Sequence, residues 1–112
     1  MLPGYVLIVD IISNPTINEE QFRAQVQPCL NHLSALKGAF DRTTCKISFR
    51  PPDVQSSIPD NQVWSVRAVV MISVGAKRGE CLIQLYDSIM TLLMYELSDF
   101  LVKGEVKKLE FS

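Results

Sequence analysis

The chain has 112 residues, of which 47% are hydrophobic and 21% are charged, and its formal net charge is -1. This length fits one domain, and the apolar fraction excludes disorder as the main description because enough surface can be buried to offset chain entropy. The near-neutral charge removes the electrostatic argument for nucleic acid or an anionic membrane as a partner. We therefore expect a single domain, residues 1–112, with neither partner.

The chain has three cysteines, Cys29, Cys45 and Cys81, which are far apart and form no CxxC pair. With His32 as the single histidine, a tetrahedral zinc site is not expected. We predict three reduced, largely buried thiols, no metal and no cofactor.

Targeting segments are not indicated. The first residues lack the basic segment of a signal peptide. Asp87, Glu96 and Asp99 interrupt the long apolar stretch near the end of the chain, where a spanning helix would expose them to lipid. The sequence therefore predicts a soluble, cytoplasmic protein.

The first half of the chain predicts a strand and then a helix. Tyr5–Ser13 is short and almost continuously apolar, which indicates a strand covered on both faces. Asn18 is typical of a helix N-cap, with Gln21 as its capping-box partner, and Lys37-Gly38 is a C-terminal signal. Pro28 should bend this helix. Its apolar stripe comprises Phe22, Val26, Cys29, Leu30, Leu33 and Leu36.

The second half predicts two strands, a helix and a last strand. Thr43–Phe49 alternates between apolar and polar residues, as a strand with one covered face does. Val63–Val74 predicts a long strand whose even-numbered side chains, from Trp64 to Val74, all point to one side. A helix is expected from about Glu80 to Leu101. Gly104 should then break the chain before a strand at Val106–Phe111.

The element order β-α-β-β-α-β predicts an α+β two-layer sandwich, a four-stranded sheet with both helices on one face. The other face of the sheet is expected to carry Tyr5, Val69 and Met71 among polar groups. That face is too apolar for water, so self-association is expected.

Two places could carry chemistry. The turn Gly75–Gly79 places Lys77 and Arg78 where a helix dipole prefers anions, which indicates either a carboxylate or phosphate site or a solvated basic turn. Arg67 lies among apolar neighbours and needs a carboxylate partner or a ligand. The partner could be Asp10 or an acid of a neighbouring subunit.

Four segments carry a family resemblance: Pro3–Ile8, Val26–Leu30, Val70–Glu80 and Val106–Phe111. They combine a proline followed by an apolar strand with a glycine-arginine turn and an acidic helix start. In these features the chain resembles the tautomerase superfamily, and is most similar to its 5-carboxymethyl-2-hydroxymuconate isomerase branch.

The resemblance implies a homotrimer with active sites at subunit boundaries and a tautomerase-like sheet; a ferredoxin-like sheet shares the same element order and is the alternative. An N-terminal proline acts as general base in such enzymes, and arginines bind the substrate carboxylate. Pro3 matches the base, Arg78 and Arg42 match the carboxylate binders, and Lys77 lies beside Arg78.

Two functions follow. The first is a cofactor-free tautomerase or isomerase that acts on a small keto or enol carboxylate. Because Leu2 precedes Pro3, the proline nitrogen is an amide without a basic lone pair, so we expect weak or no activity. The second is a non-catalytic homo-oligomeric module that binds a small anion or a partner protein.

Overall fold

The computed structural model describes residues 2–14, 17–36, 40, 43–50, 63–73 and 76–111, with side chains for all of these except 2–3, 76–78 and 109–111. The chain forms four strands and two helices. In chain order they are β1 (Leu2–Ile12), α1 (Glu19–Ser34), β2 (Thr43–Arg50), β3 (Ser65–Ser73), α2 (Ala76–Glu96) and β4 (Leu101–Phe111). The predicted α+β class and element order are confirmed.

The four strands form one sheet in the order β2-β3-β1-β4, and every neighbouring pair is antiparallel. Each helix therefore connects two parallel strands that have one antiparallel strand between them, as in the split β-α-β unit. Of the two arrangements that the element order allows, this is the ferredoxin-like one, which was the alternative; the tautomerase-like sheet that the resemblance implies was wrong, because β1 and β2 are separated by β3.

Both helices pack on the same face of the sheet. Alternate side chains of β1 and β3 meet the apolar stripes of α1 and α2 in one buried cluster, because successive strand residues point to opposite faces. The strand contribution to this core consists of Tyr5, Leu7, Val9, Ile11, Val66, Ala68, Val70, Ile72 and Val102. The placement of Tyr5 on the opposite face was wrong: it shares the odd-numbered side of β1 and is 8% exposed.

Helix α1 begins as the sequence predicts. Asn18 is the N-cap: its side chain accepts a hydrogen bond from the Gln21 backbone at 2.8 Å, and Gln21 Oε1 accepts one from the Asn18 backbone at 3.2 Å. The helix continues through Pro28 to Ser34. The expected stop signal at residues 37–38 lies outside the described residues.

Helix α2 lies earlier in the chain than predicted. It begins at Ala76 and includes Gly79 in its first turn. Gly79 is packed against the ring of Tyr5, and a Cβ atom at this position would lie 2.5 Å from the Tyr5 hydroxyl. The glycine is therefore a close-packing residue rather than a turn residue. The helix ends at Glu96, and a tight turn leads to β4.

Strand β4 is longer than predicted and includes Gly104. Gly104 pairs with Val9 in the sheet, and the Tyr86 hydroxyl and Met90 lie over it from α2. A side chain at residue 104 would collide with both. The expectation that Gly104 breaks the chain was wrong because the glycine makes room for Tyr86 within a continuous strand.

Candidate functional site

Three of the predicted site residues, Pro3, Lys77 and Arg78, lie at one end of the sheet. The backbone of Pro3 lies at the start of β1, opposite Glu110. Lys77 and Arg78 lie in the first turn of α2, shortly after the end of β3, which lies beside the start of β1. Arg42 lies outside the described residues, as do the side chains of Pro3, Lys77 and Arg78. The topology thus brings the start of β1 and the start of α2 together, and the proline and carboxylate roles stay predictions.

The face of the sheet opposite the helices, here called the open face, carries a different group of residues. The strand register sorts them into four rows that run from β2 through β3 and β1 to β4. The first two rows are Thr44-Met71-Val6-Lys107 and Lys46-Val69-Ile8-Glu105. The next two are Ser48-Arg67-Asp10-Lys103 and Arg50-Ser65-Ile12-Leu101.

The inner strands of the open face are mainly apolar, with Ser65 and Ser73 at the two ends of β3 and one ion pair between them. Arg67 Nε donates to Asp10 Oδ1 at 2.8 Å, and Arg67 Nη2 donates to Asp10 Oδ2 at 3.0 Å. The hydrogen bonds to Asp10 and its negative charge raise the pKa of Arg67 further above its ordinary value. The two side chains are 39% and 27% exposed, so the pair reaches the surface of the face. Of the partners considered for Arg67, the structure shows Asp10.

The outer strands carry the other charges of the open face. Lys46, Lys103 and Glu105 are exposed, and Glu105 lies 3.7 Å from Lys107 of the same strand. An apolar centre with charges at its margin is the usual anatomy of a protein interface. Sequence reasoning left these outer residues out of its candidate site because the alternation gives their side of each strand but not which strands are neighbours.

A second group of titratable residues lies between the two helices. The Cys29 thiol donates to Glu96 Oε2 at 3.3 Å, and His32 Nε2 lies 4.0 Å from that oxygen. Burial, the hydrogen bond to Glu96 and its negative charge raise the pKa of Cys29 to about 11. The nucleophilic form of cysteine is the thiolate, so this arrangement makes Cys29 unreactive at neutral pH.

The cysteine prediction is confirmed in part. All three are free thiols. Cys29 is buried as expected, but Cys45 is half-buried and Cys81 is exposed on α2. Within the part of the chain that the structure describes, no three His, Cys, Asp or Glu residues are grouped closely enough to hold a metal ion. No helix of that part is long and apolar enough to span a bilayer.

A cavity of about 250 Å³ lies between the start of α1, the end of β2 and the start of β3. Its aromatic lining includes Phe22, Phe49 and Trp64. The Arg23 guanidinium lies 4.1 Å from the centre of the Phe49 ring, and its Nε donates to Glu19 at 3.1 Å. Because Arg23 already has two partners, we assign it a structural role.

Comparison with known proteins bears on the fold alone. No protein-family model and no curated protein matches the chain. Among solved structures, it is similar to the de novo designed protein Foldit4, with a TM-score of 0.61, 13% identity and coverage of 93% of this chain and 96% of that one. A dimeric ferredoxin-like protein from an uncultured marine organism gives a TM-score of 0.53 at 12% identity, with 98% of each chain covered.

The same fold also occurs inside larger proteins. The VAO-type flavoprotein MtVAO713 from Myceliophthora thermophila C1 matches with a TM-score of 0.62 and 11% identity, over 97% of this chain and 18% of that one. At these identities the likeness shows the fold and no activity. The ferredoxin-like arrangement read from the strand order is supported by the comparisons.

Proposed function

We propose that this chain is a non-catalytic homo-oligomeric module, in which another copy of the chain covers the open face of the sheet. One observation carries the proposal: the inner strands of that face present apolar side chains around a neutral ion pair, with charged residues at the margin. Such faces drive association when they exclude water. The covering copy also accounts for the apolar sequence of β1 on both of its sides.

Self-association is tested by placing a charge in the centre of the open face. Ile8 is half-buried there on β1, and we expect Ile8→Lys to weaken association at least tenfold. Each copy loses about 1.5–3 kcal/mol of apolar burial, and an unpaired ammonium enters the interface. The dissociation constant is measured by sedimentation equilibrium of the wild type and the variant.

Ile83→Lys is the matched control because Ile83 is 37% exposed on α2, away from the open face. We expect this variant to associate like the wild type. Far-UV circular dichroism checks that both variants are folded. A wild-type chain that sediments as a 12.6 kDa monomer at all concentrations would contradict the proposal.

A tautomerase is the second candidate, favoured by the placement of Pro3 and the start of α2 at one end of the sheet. In this proposal Arg78 binds the substrate carboxylate. Pro3 follows Leu2 in an amide bond and lacks a basic nitrogen, so the chain as given should ketonise enol pyruvates weakly or not at all.

The enzyme proposal is tested with phenylpyruvate enol, followed by the absorbance of both tautomers. A form trimmed so that Pro3 is the first residue should be more active than the untrimmed chain. Arg78→Ala should weaken carboxylate binding by about 1.5–3 kcal/mol without changing the melting temperature. Strong activity of the untrimmed chain that persists in Pro3→Ala would refute the proline mechanism.

A further inference from the structure

The charges of the open face are arranged so that the face complements a copy of itself. In its two central rows the order from β2 to β4 is Lys46-Val69-Ile8-Glu105 and Ser48-Arg67-Asp10-Lys103. Each row therefore carries a cation on the β2 side of the sheet centre and a carboxylate on the β4 side; the second row also ends on Lys103, at the position opposite the uncharged Ser48.

Consider a two-fold axis that runs parallel to the strands, between β1 and β3. It places each row of one copy opposite the same row of the second copy, with the order of the residues reversed. Such an axis sets β3 of one copy over β1 of the other and β2 over β4, and it keeps each row opposite the same row. Lys46 then faces Glu105 of the second copy, and Arg67 faces Asp10 of the second copy. In a two-fold interface each such contact occurs twice.

We propose that two copies of this chain pack sheet on sheet about this axis, with Lys46 against Glu105 and the Asp10–Arg67 pairs against each other. The inference rests on the proposed self-association and specifies its geometry. It also specifies a dimer, whereas the family resemblance implies a trimer.

The central ion pair suits this position. Arg67 has five N–H donors and uses two of them on Asp10, and the carboxylate retains free lone pairs. The inverted pair of the second copy offers acceptors for those donors and donors for those lone pairs. A pair that is covered in this way avoids the cost of an incompletely satisfied buried charge.

The outer charges can reach across the interface. Packed sheets lie about 10 Å apart, a gap that a lysine and a glutamate can span from opposite sides. Aligned sheets cross at roughly 30°, so the rows nearest the centre stay in register best. These are the two rows in which opposite charges meet.

An axis across the strands lacks the central match. It would place each strand against the same strand of the second copy, so β2, whose open-face side carries Lys46 and Arg50 and no carboxylate, would meet itself. On β4 Glu105 could meet Lys103, but Arg67 and Asp10 would face either their own copies or the apolar Val69 and Ile8, and not the opposite charge. Like charges that face each other at an interface are unfavourable and select against that geometry. The charge order therefore distinguishes the two ways in which the same face could pair with itself.

Charge exchange between Lys46 and Glu105 tests the geometry. Lys46→Glu and Glu105→Lys alone should each weaken the dimer roughly 10- to 30-fold, because two symmetric contacts change from attraction to repulsion. The double variant should bind itself within threefold of wild type. A 1:1 mixture of the two single variants should do the same as a heterodimer.

Effects within one copy do not mimic this rescue. β2 and β4 are separated by two strands, so the two side chains of one copy start about 14 Å apart, beyond the screening length of about 8 Å at physiological salt. Lys108→Glu is the control for Lys46→Glu. It makes the same charge change, but Lys108 lies on β4 on the helix side of the sheet. It should leave the dissociation constant unchanged.

The outcomes separate this inference from the proposal beneath it. Analytical ultracentrifugation should give a dimer for the wild type, loss for each single variant and recovery for the mixture. A trimer, or single variants that associate like the wild type, would overturn the sheet-on-sheet dimer and leave self-association standing. A wild-type monomer at every concentration would remove both.

Discussion

Cys29 and Cys81 are both free thiols, yet they lie in opposite chemical settings. Cys29 is buried between the helices and donates to a carboxylate, which disfavours its thiolate. Cys81 is exposed on the surface of α2. The apolar stripe of α1 predicted the burial of Cys29, but the Glu96 contact joins residues that are 67 positions apart, which sequence spacing does not indicate.

Alkylation should separate the two thiols. At pH 8 we expect iodoacetamide to modify Cys81 at least about 100-fold faster than Cys29, because raising the pKa of Cys29 from 9.0 to about 11 lowers its thiolate population by that factor. Peptide mass spectrometry of samples quenched at intervals measures both rates. The two rates should converge in denaturant, and equal rates in the folded protein would contradict this description of Cys29.

The pKa of Cys29 also makes stability depend on pH in a defined direction. Because the pKa is raised on folding, the unfolded thiol releases its proton first, so this contribution to stability is present below pH 9 and is lost as pH rises towards 11. Cys29→Ala should therefore show a smaller loss of melting temperature than the wild type between pH 9 and pH 11. An identical loss in both proteins would show that the thiol does not contribute.

For the residues of the open face too, some properties follow from the local sequence and others depend on the whole sheet. That Arg67 needs a partner followed from its position among apolar neighbours, and Asp10 was one of the partners considered. Its selection depends on β1 and β3 being neighbours in register, which is a property of the whole sheet. The face on which Tyr5 lies could not be predicted. In a continuously apolar strand, the sequence does not indicate whether the odd-numbered or the even-numbered side chains face the helices.

At the scale of elements, α1 was the most predictable and β4 the least. The Asn18–Gln21 capping box fixes the start of α1 through local contacts, which sequence contains. The bounds of α2 and β4 depend on Gly79 and Gly104, two glycines that resemble helix and strand breakers. Each instead accommodates a tyrosine from a distant segment, a contact that local sequence does not encode.

The role of Gly104 can be tested by adding a methyl group. Gly104→Ala should lower the free energy of unfolding by about 1–3 kcal/mol, because the new Cβ collides with the Tyr86 hydroxyl and with Met90. Tyr86→Phe removes the hydroxyl and should recover part of the loss in the double variant. Urea denaturation of the four proteins measures this coupling, and strictly additive effects would show that Tyr86 is not the obstacle.

At the scale of the whole molecule, composition and element order were sufficient for the fold class but not for the topology. Two sheet arrangements share the order β-α-β-β-α-β, and they differ in which strands are neighbours. That difference is made by contacts between segments far apart in the chain, such as β1 with β4. The identity of the open face, and with it the charge order across the face, follows only once those neighbours are known.

Self-association should make thermal stability depend on concentration. If another copy covers the open face, each tenfold rise in protein concentration should raise the melting temperature by about 2–5 °C by mass action. Scanning calorimetry over two decades of concentration measures the slope. Ile8→Lys should displace the dependence to at least tenfold higher concentration, and a wild-type melting temperature that is the same at all concentrations would count against the assembly.

The basic residues on the two edge strands, β2 and β4, affect whether further strands can join the sheet. Among the residues that the structure describes, β2 and β4 each pair on one side only, so each presents a row of backbone N–H and C=O groups that could accept a further strand. Both carry basic residues, Lys46 and Arg50 on β2 and Lys103, Lys107 and Lys108 on β4. Like charges on two approaching edges repel each other and discourage the open-ended addition of strands that leads to fibrils. The chain can thus associate through its open face while its edge strands resist amyloid-like growth.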